Sequence, residues 1–301
     1  MSVSFIGEIH KSAEAAEQPV FSVEFFPPKT EAGDRTLSEK VIPTLLTSDI
    51  RYCSVTYGAG GSTREKTLSI VEGIQKQHDL TSMAHLTCVN STREQIAGVL
   101  EEAKARGIRN ILALRGDPPA GQGEFVPVEG GFTYSTELVR FIKECGDFCV
   151  GVAGFPEGHI ACQEGREKDW GYLKGKVDAG ADFVITQLFF DNADYYAFRD
   201  YVTDHLGVDV PLIPGLLPIQ SGNQVKRFTE LCGASIPARM EQRLNELGED
   251  NEAVTEYGIE FSTEQIRDLL ANGVPGVHFY CLNKAHSVMR IMRSLGYDNR
   301  P

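Results

Sequence analysis

The chain has little positive charge: 29 lysine and arginine residues stand against 42 aspartate and glutamate residues, a formal net charge of -13. Proteins that bind nucleic acid depend on clustered basic side chains that neutralise phosphates, and proteins that bind acidic membrane surfaces do so too. The charge balance therefore argues against nucleic acid and against a membrane surface as partners. No apolar run of the sequence is long enough to span a bilayer.

The sequence also lacks the cysteine pattern of a metal or redox site. Its seven cysteines include no Cys-x-x-Cys pair, and most of them lie in or beside strand-like runs. The beginning of the chain has no basic segment followed by an apolar core, which a secretory signal would have. We therefore expect reduced thiols in a cytoplasmic protein that binds no metal.

What the sequence does contain is a near-regular series of eight short apolar, β-branched and aromatic runs with helix signals between them. A polar residue tends to follow each run, as expected for a barrel whose chemistry lies at the strand ends. Such a barrel typically takes about 250 residues. The sequence thus predicts a single catalytic α/β domain over residues 1–301, a (β/α)8 TIM barrel. The eight runs surround Glu24, Thr56, His85, Leu114, Ala153, Thr186, Gly215 and Phe279.

Helix starts are predicted at three capping-box patterns, Ser62 to Glu65, Ser91 to Glu94 and Ser262 to Gln265.

Two segments of the sequence are additional to the eight strand–helix units of the predicted barrel. Residues 118–132 are rich in glycine and proline and predict a long loop over the strand-end face, where loops often bind ligands. Residues 238–261 are highly charged and predict an extra helical stretch before the last strand.

Glu24 is the first candidate for chemistry, because it is a carboxylate inside the run Ser-Val-Glu-Phe-Phe-Pro-Pro. A carboxyl group in apolar surroundings stays protonated nearer neutrality and can act as a general acid. The alternative is a structural carboxylate paired with a neighbouring arginine or lysine.

Arg115 and Asp117 follow another apolar strand, where ligand binding or an ion pair that stabilises the loop would explain them. Equivalent strand ends carry Thr56, His85, Gln187, and Asn283 or Lys284.

A glycine-rich loop, Tyr-Gly-Ala-Gly-Gly-Ser-Thr, follows the second run. Gly58, Gly60 and Gly61 suggest a dinucleotide fingerprint, but Thr63 occupies the position of its third glycine. No acidic residue ends the next strand at the expected place, and no Walker A sequence is present. We interpret the loop as a turn, with phosphate contact as the alternative.

Seven blocks in this order resemble the methylenetetrahydrofolate reductase family: FSVEFFPPKT, YCSVTYGAGG, AHLTC, ILALRGDPP, ITQLFFD, IPGLLP and HFYCLNKA. The resemblance covers nearly the whole chain, and the length is similar to the bacterial single-domain form. It implies a flavoprotein oxidoreductase with FAD that reduces 5,10-methylenetetrahydrofolate to 5-methyltetrahydrofolate for methionine synthesis. NADH or NADPH would reduce the flavin in a separate half-reaction, by a ping-pong mechanism, and the protein would form a homo-oligomer.

The resemblance also implies roles for individual residues. Glu24 matches the general acid that assists opening of the folate ring at N10, and Asp117 matches an aspartate near the flavin pyrimidine and the pterin. Positions that match cofactor contacts are Thr56, His85, Arg115, Gly116, Asp117, Tyr134, Phe155, His159, Asp169 and Lys176. Positions that match substrate contacts are Asp117, Gln187, Gln224, Phe228 and Lys284. For Gln224 and Phe228, ordinary packing of an amphipathic helix through Val225, Phe228 and Leu231 is the alternative.

Four positions depart from residues found in some family members. Phe155 replaces a tyrosine and so loses a hydroxyl hydrogen bond, and Lys284 replaces an arginine and so loses bidentate geometry towards a carboxylate. Tyr172 and Gly175 replace polar residues that contact FAD.

Two other functions are compatible with a barrel of this kind. One is another flavin oxidoreductase, similar to proline dehydrogenase. The other is a redox-inactive pterin-binding subunit or methyl carrier, and bound flavin would argue against it.

Overall fold

The computed structural model describes residues 4–57, 64–117 and 125–299. In that part of the chain nine parallel strands form one sheet, in the order β7-β6-β5-β4-β3-β2-β1-β9-β8. The strands are β1 Val20–Phe25, β2 Ile50–Val55, β3 Thr81–Thr87, β4 Asn110–Leu114, β5 Cys149–Gly154, β6 Phe183–Thr186, β7 Leu212–Ile213, β8 Gly215–Leu216 and β9 Gly276–Phe279.

The barrel closes at the seventh predicted run, which the structure divides into β7 and β8. Ile213 in β7 pairs with β6, whereas Gly215 in β8 pairs with β9. Pro214 lies between them, and its carbonyl accepts a hydrogen bond from His278 N at 2.9 Å. Because proline has no N–H to donate, it interrupts the strand without leaving an unpaired donor. The two pieces together act as the seventh of eight barrel strands, and the predicted TIM barrel is confirmed.

Helices surround the sheet, and apolar residues from both fill the space between them in the largest buried cluster of the molecule. Two π-helical segments, Leu37–Val41 and Tyr201–His205, continue α2 and α8. The helices are α1 Ile6–Ala15, α2 Glu31–Thr36, α3 Ile42–Leu45, α4 Arg64–His78, α5 Arg93–Ala105, α6 Ser135–Cys145, α7 Arg166–Asp178, α8 Asn192–Asp200, α9 Gly222–Cys232, α10 Ala238–Leu247, α11 Asn251–Ala271 and α12 His286–Leu295.

Two of the predicted helix starts are wrong. Thr92, not Ser91, caps α5, because Thr92 and Gln95 exchange hydrogen bonds while the Ser91 hydroxyl donates to Val89 O. Ser262 lies buried inside α11, a continuous helix of 21 residues whose N-cap is Asp250. The pattern at Ser62 lies in residues 58–63, outside the described part. The predicted helical stretch over residues 238–261 is confirmed as α10 and the first half of α11.

Helix α1 closes the N-terminal end of the barrel. Ile6 N donates to Asn110 Oδ1 at 2.9 Å and Gly7 N donates to Cys149 Sγ at 3.3 Å, so side chains of β4 and β5 satisfy two amides of its first turn. Ile6 belongs to an apolar cluster with inward residues of the strands, including Tyr52 and Phe183. Within the described residues, no helix combines the length and apolar composition needed to cross a membrane.

Candidate active site

Glu24 lies near the C-terminal end of β1, with its side chain inside the barrel and only 7% of the residue exposed. Side chains alternate along a strand, so Ser22 and Glu24 both point inward. Glu24 Oε2 is 3.4 Å from His85 Nε2 on β3 and 4.0 Å from His278 Nε2 on β9. Among the described residues no arginine or lysine lies within 4.0 Å of it, so the predicted alternative of a basic partner is not observed.

The histidine beside Glu24 carries little positive charge. Burial lowers the pKa of His85 to about 4, and the opposing effect of the Glu24 carboxylate is smaller. At neutral pH His85 is therefore an uncharged neighbour of Glu24. This arrangement leaves a buried carboxyl group near the strand ends with two histidines, and no arginine or lysine, within 4.0 Å among the described residues.

His278 was missed in the sequence because it lies within an apolar strand run and not at its end. Its Nδ1 is 2.8 Å from Ser22 Oγ, and its Nε2 is 3.4 Å from Ser54 Oγ. The only sequence signal for it is a histidine at an inward position of β9, two residues before Tyr280. The structure therefore adds His278 to the candidate site.

A cationic group lies at the ends of β4 and β5. Lys176 Nζ, from α7, donates to Ala153 O at 2.9 Å and lies 5.8 Å from the centroid of the Phe155 ring. The Phe155 ring meets His159 edge to face with 4.6 Å between centroids. Burial lowers the pKa of Lys176 to about 8, with Arg115 adding to the effect and Asp169 opposing it.

His159 and Asp169 complete this group. Burial lowers the pKa of His159, and the positive charges of Arg115 and Lys176 lower it further. Burial raises the pKa of Asp169 despite the nearby Lys176. Within the described residues neither Arg115 nor Lys176 has a carboxylate partner within 4.0 Å. Cationic donors that are clustered and not neutralised suit a diphosphate.

The segment that follows β4 has a backbone conformation that requires glycine. Gly116 has φ +84°, and a Cβ there would lie 2.7 Å from Val89 Cγ2. Asp117 is exposed. The predicted loop-stabilising ion pair between Arg115 and Asp117 is not present among ion pairs of the described residues. Instead the Arg115 guanidinium lies 5.4 Å from the Phe125 ring centroid. The charge of Asp117 raises the pKa of His159, against the larger effects of burial, Arg115 and Lys176, which lower it.

A second polar row connects the loop after β8 with the loop after β9. Gln220 N donates to Gln224 Oε1 at 2.7 Å, and Lys284 Nζ donates to Gln220 Oε1 at 2.7 Å. Gln224 Nε2 is buried and has no partner within the described ranges. Phe228 packs with the cluster that contains Val225, whereas Leu231 is 62% exposed, so helix packing explains only part of the predicted stripe.

The remaining predicted positions differ in their surroundings. Asn283 exchanges two hydrogen bonds with the backbone of Phe26, at 2.9 and 2.8 Å, which leaves Lys284 as the ligand candidate of the two. Gln187 Oε1 accepts from Leu188 N at 2.8 Å. Four other positions make no hydrogen bond through their side chains with the site residues described above. They are the half-buried Thr56, the exposed Tyr134, Tyr172, whose hydroxyl donates to Glu164, and Gly175 in α7. The glycine loop with Gly58, Gly60, Gly61 and Thr63 lies outside the described residues.

Comparisons with known proteins agree with this fold. A family model for methylenetetrahydrofolate reductase matches residues 8–296. The chain is 42% identical over 298 residues to methylenetetrahydrofolate reductase (NADH) 1 of Arabidopsis thaliana, covering 95% of this chain and 50% of that protein. It is 38% identical over 284 residues to 5,10-methylenetetrahydrofolate reductase of Escherichia coli (strain K12), covering 94% and 93%. The chain spans about half the length of the plant relatives it matches.

Among solved structures, the chain is similar to an uncharacterized protein from Clostridium thermocellum that binds two copies of 5-methyl-5,6,7,8-tetrahydrofolic acid. The TM-score is 0.62 at 17% identity, over 94% of this chain and 96% of that one. At this identity the likeness shows the shared fold.

Proposed function

Because the chain belongs to the methylenetetrahydrofolate reductase family, we propose that it reduces 5,10-methylenetetrahydrofolate to 5-methyltetrahydrofolate, with FAD as cofactor and NADH or NADPH as electron donor. The observation that carries the proposal is the buried Glu24 at the strand ends, which has no arginine or lysine partner among the described residues. A reduction that begins by protonating a substrate nitrogen needs such a carboxyl group.

Glu24 is the proposed general acid. It would hold a proton inside the barrel and deliver it to N10 of the folate, so that the C–N10 bond of the five-membered ring breaks and an iminium carbon is exposed. His85, neutral and 3.4 Å away, lies beside the carboxyl group and is not the proposed acid. Proton delivery by a positioned side chain of this kind contributes about 10²- to 10⁴-fold to a rate.

The cationic group at the ends of β4 and β5 fits the cofactor. Arg115, His159 and Lys176 would bind the diphosphate of FAD, and Phe155 would pack beside them. Gly116 allows the backbone to turn close to Thr87 and Val89, and Asp117 would face the flavin and the pterin. When bound there, FAD would supply hydride transfer between the nicotinamide and the folate.

The row of Gln220, Gln224 and Lys284 would bind the folate. Gln224 offers a buried amide nitrogen without a partner among the described residues, which is the kind of donor a pterin or aminobenzoyl group satisfies. Lys284 is exposed and would bind a folate carboxylate as a point charge. Gln187 and Phe228 complete the proposed folate contacts.

The proposed reaction is tested by following NADH or NADPH oxidation in the presence of FAD and 5,10-methylenetetrahydrofolate, and by identifying the folate product by mass spectrometry. We expect nucleotide oxidation that depends on the folate and yields 5-methyltetrahydrofolate in equal amount. Oxidation without that product would contradict the proposal and would indicate another flavin oxidoreductase.

FAD affinity is expected to fall about tenfold between pH 7 and pH 9. Lys176 has a pKa of about 8 in the free protein, so above pH 8 the diphosphate binds only if Lys176 takes up a proton. Quenching of FAD fluorescence on binding gives the dissociation constant at each pH. The matched variant Lys176→Arg stays charged throughout and should show almost no change. An equal pH dependence in both proteins would contradict the role of Lys176.

A further inference from the structure

The end of β1, where Glu24 lies, is paired differently on its two sides. Backbone pairing between β1 and β9 ends at Val23 and Phe279, one residue before Glu24. On the other side β1 pairs with β2 as far as Phe25, whose carbonyl accepts a further hydrogen bond from Thr56 N at 2.9 Å. Strand pairing therefore holds the backbone around Glu24 on the β2 side, and something else must hold it on the β9 side.

On the β9 side two side chains replace the strand. Cys281 Sγ donates to Glu24 O at 3.1 Å. Asn283 accepts from Phe26 N with its Oδ1 at 2.9 Å, and it donates to Phe26 O with its Nδ2 at 2.8 Å. A side-chain amide offers both a donor and an acceptor, as a peptide group does, so Asn283 takes the position of a strand residue opposite Phe26. We call these two hydrogen bonds the Asn283 clamp.

The turn that carries Asn283 has strained backbone. Leu282 and Asn283 have φ of +53° and +58°, and Lys284 N donates to Cys281 O at 3.0 Å, as in a type I′ turn. Asparagine tolerates positive φ, whereas leucine adopts it only at a cost. Such strain persists where surrounding contacts enforce it, and it is concentrated at functional sites. Here the Leu282 side chain packs against the cluster that contains Val225, and the Asn283 clamp holds the next residue.

The same turn leads into the proposed folate site. Lys284 follows Asn283 directly, and its Nζ donates to Gln220 Oε1 at 2.7 Å. One short segment thus contacts the backbone at Glu24 and also carries the proposed ligand of a folate carboxylate. The folate would reach both places, because N10 receives the proton and the carboxylates lie at the far end of the molecule. The Asn283 clamp therefore connects the proposed acid to the proposed binding group.

We propose that Asn283 is a positioning residue for Glu24: its clamp on Phe26 fixes where β1 presents the Glu24 carboxyl group to the bound folate. This inference rests on the proposed function. In the proposed step the proton leaves Glu24, the N10–H bond forms, and the carbon–N10 bond of the folate ring breaks. Proton transfer requires the two heavy atoms to lie about 2.6–3.2 Å apart. A displacement of about 1 Å can cost about 100-fold in rate.

Asn283→Gly removes the clamp and keeps the turn, because glycine adopts positive φ without strain and Lys284 N can still donate to Cys281 O. In stopped-flow measurements of the flavin absorbance, we expect the folate half-reaction at saturating folate to slow about 10- to 100-fold. Reduction by NADH, which needs no proton from Glu24, should stay within about twofold of wild type. The dissociation constant for the folate should change less than about threefold, because Lys284 keeps its place.

The matched control is Asp79→Gly. Asp79 also has positive φ, at +50°, but it lies just before β3, at the opposite end of the barrel. Both half-reactions of this variant should stay within about twofold of wild type.

A second variant, Asn283→Asp, keeps the acceptor for Phe26 N but loses the donor to Phe26 O. It retains one of the two hydrogen bonds and so tests the role even where Asn283→Gly is too unstable to assay. We expect the same split between the half-reactions with a smaller loss. A wild-type folate rate in either variant of Asn283, or equal loss in both half-reactions, would overturn the positioning role.

The clamp itself is measured without any reaction, by NMR on the full chain. Phenylalanine labelled with 13C at the carbonyl and with 15N gives carbonyl-correlated amide signals only where two phenylalanines are consecutive. The chain has two such pairs, Phe25-Phe26 and Phe189-Phe190. Phe190→Leu identifies the second signal by its loss, and the remaining signal reports the Phe26 amide.

We expect the Phe26 amide proton to exchange with solvent at least about tenfold faster in Asn283→Gly than in wild type, and at the wild-type rate in Asp79→Gly. Equal exchange in Asn283→Gly and wild type would overturn the clamp. Failure of the proposed function is distinguishable, because wild-type protein would then show slow exchange at Phe26 but no folate reduction. Failure of this inference alone would leave folate reduction intact in the wild type and in Asn283→Gly.

Discussion

Replacing Glu24 with glutamine is expected to slow folate reduction by about 10²- to 10⁴-fold. Glutamine matches the size of the side chain and keeps its place beside His85, but its amide has no acidic proton to give to N10. The nicotinamide half-reaction needs no such proton from Glu24. Reduction by NADH should therefore stay within about twofold of wild type.

The two half-reactions of Glu24→Gln are measured separately under anaerobic conditions by stopped-flow absorbance of the flavin. Glu246→Gln makes the same chemical change on the exposed face of α10, far in sequence from every candidate site residue, and should behave as wild type. Normal folate reduction by Glu24→Gln would show that another group is the acid. Loss of both half-reactions would show a general defect in the site.

Gly276→Ala is expected to prevent stable folding or to lower the melting temperature by about 10 °C or more. Gly276 has φ +140°, and a Cβ there would lie 1.9 Å from Val20 O and 2.5 Å from Val20 N. Val20 is its register partner on β1, so the clash is with backbone at the junction of β1 and β9 and no side-chain rotation relieves it. The strands would have to separate where they hold Ser22 and His278 together.

Gly273→Ala is the matched control, because Gly273 also has positive φ, at +76°, but no atom of the described residues lies within 4 Å of its Cβ position. It should cost only about 1–2 kcal/mol of unfolding free energy, from backbone strain. Thermal unfolding followed by circular dichroism gives both values. Similar melting temperatures for the two variants would contradict the close approach at Gly276.

The barrel was predictable from the sequence because each strand is a compact apolar run and each run ends in turn or polar residues. Glu24 stood out for the same reason, as a charge where a strand residue was expected. The divided seventh strand was not predictable, since Pro214 alone does not show that its two sides pair with different strands. Two predicted helix starts are wrong for different reasons. At α5 the side chain of Thr92, one residue after Ser91, caps the helix, and α11 begins at Asn251 and continues past the buried Ser262.

The surroundings of Glu24 were only partly predictable. His85 was identified as a strand residue of the site, but its distance from Glu24 depends on the register of three strands. His278 is separated from Ser22 by 256 positions, and nothing local to either residue indicates their contact. His10 lies in an ordinary amphipathic helix, and only the closure of the barrel by α1 brings it to Tyr52. Long-range pairing, and not residue type, determines these contacts.

The most direct measurement is the visible spectrum of the purified protein loaded with FAD, recorded anaerobically before NADH, after NADH, and again after 5,10-methylenetetrahydrofolate. We expect flavin bands that bleach with NADH and return when the folate is added, with 5-methyltetrahydrofolate formed in equal amount. A protein that binds no FAD, or whose reduced flavin is not reoxidised by the folate, would contradict the proposed reductase.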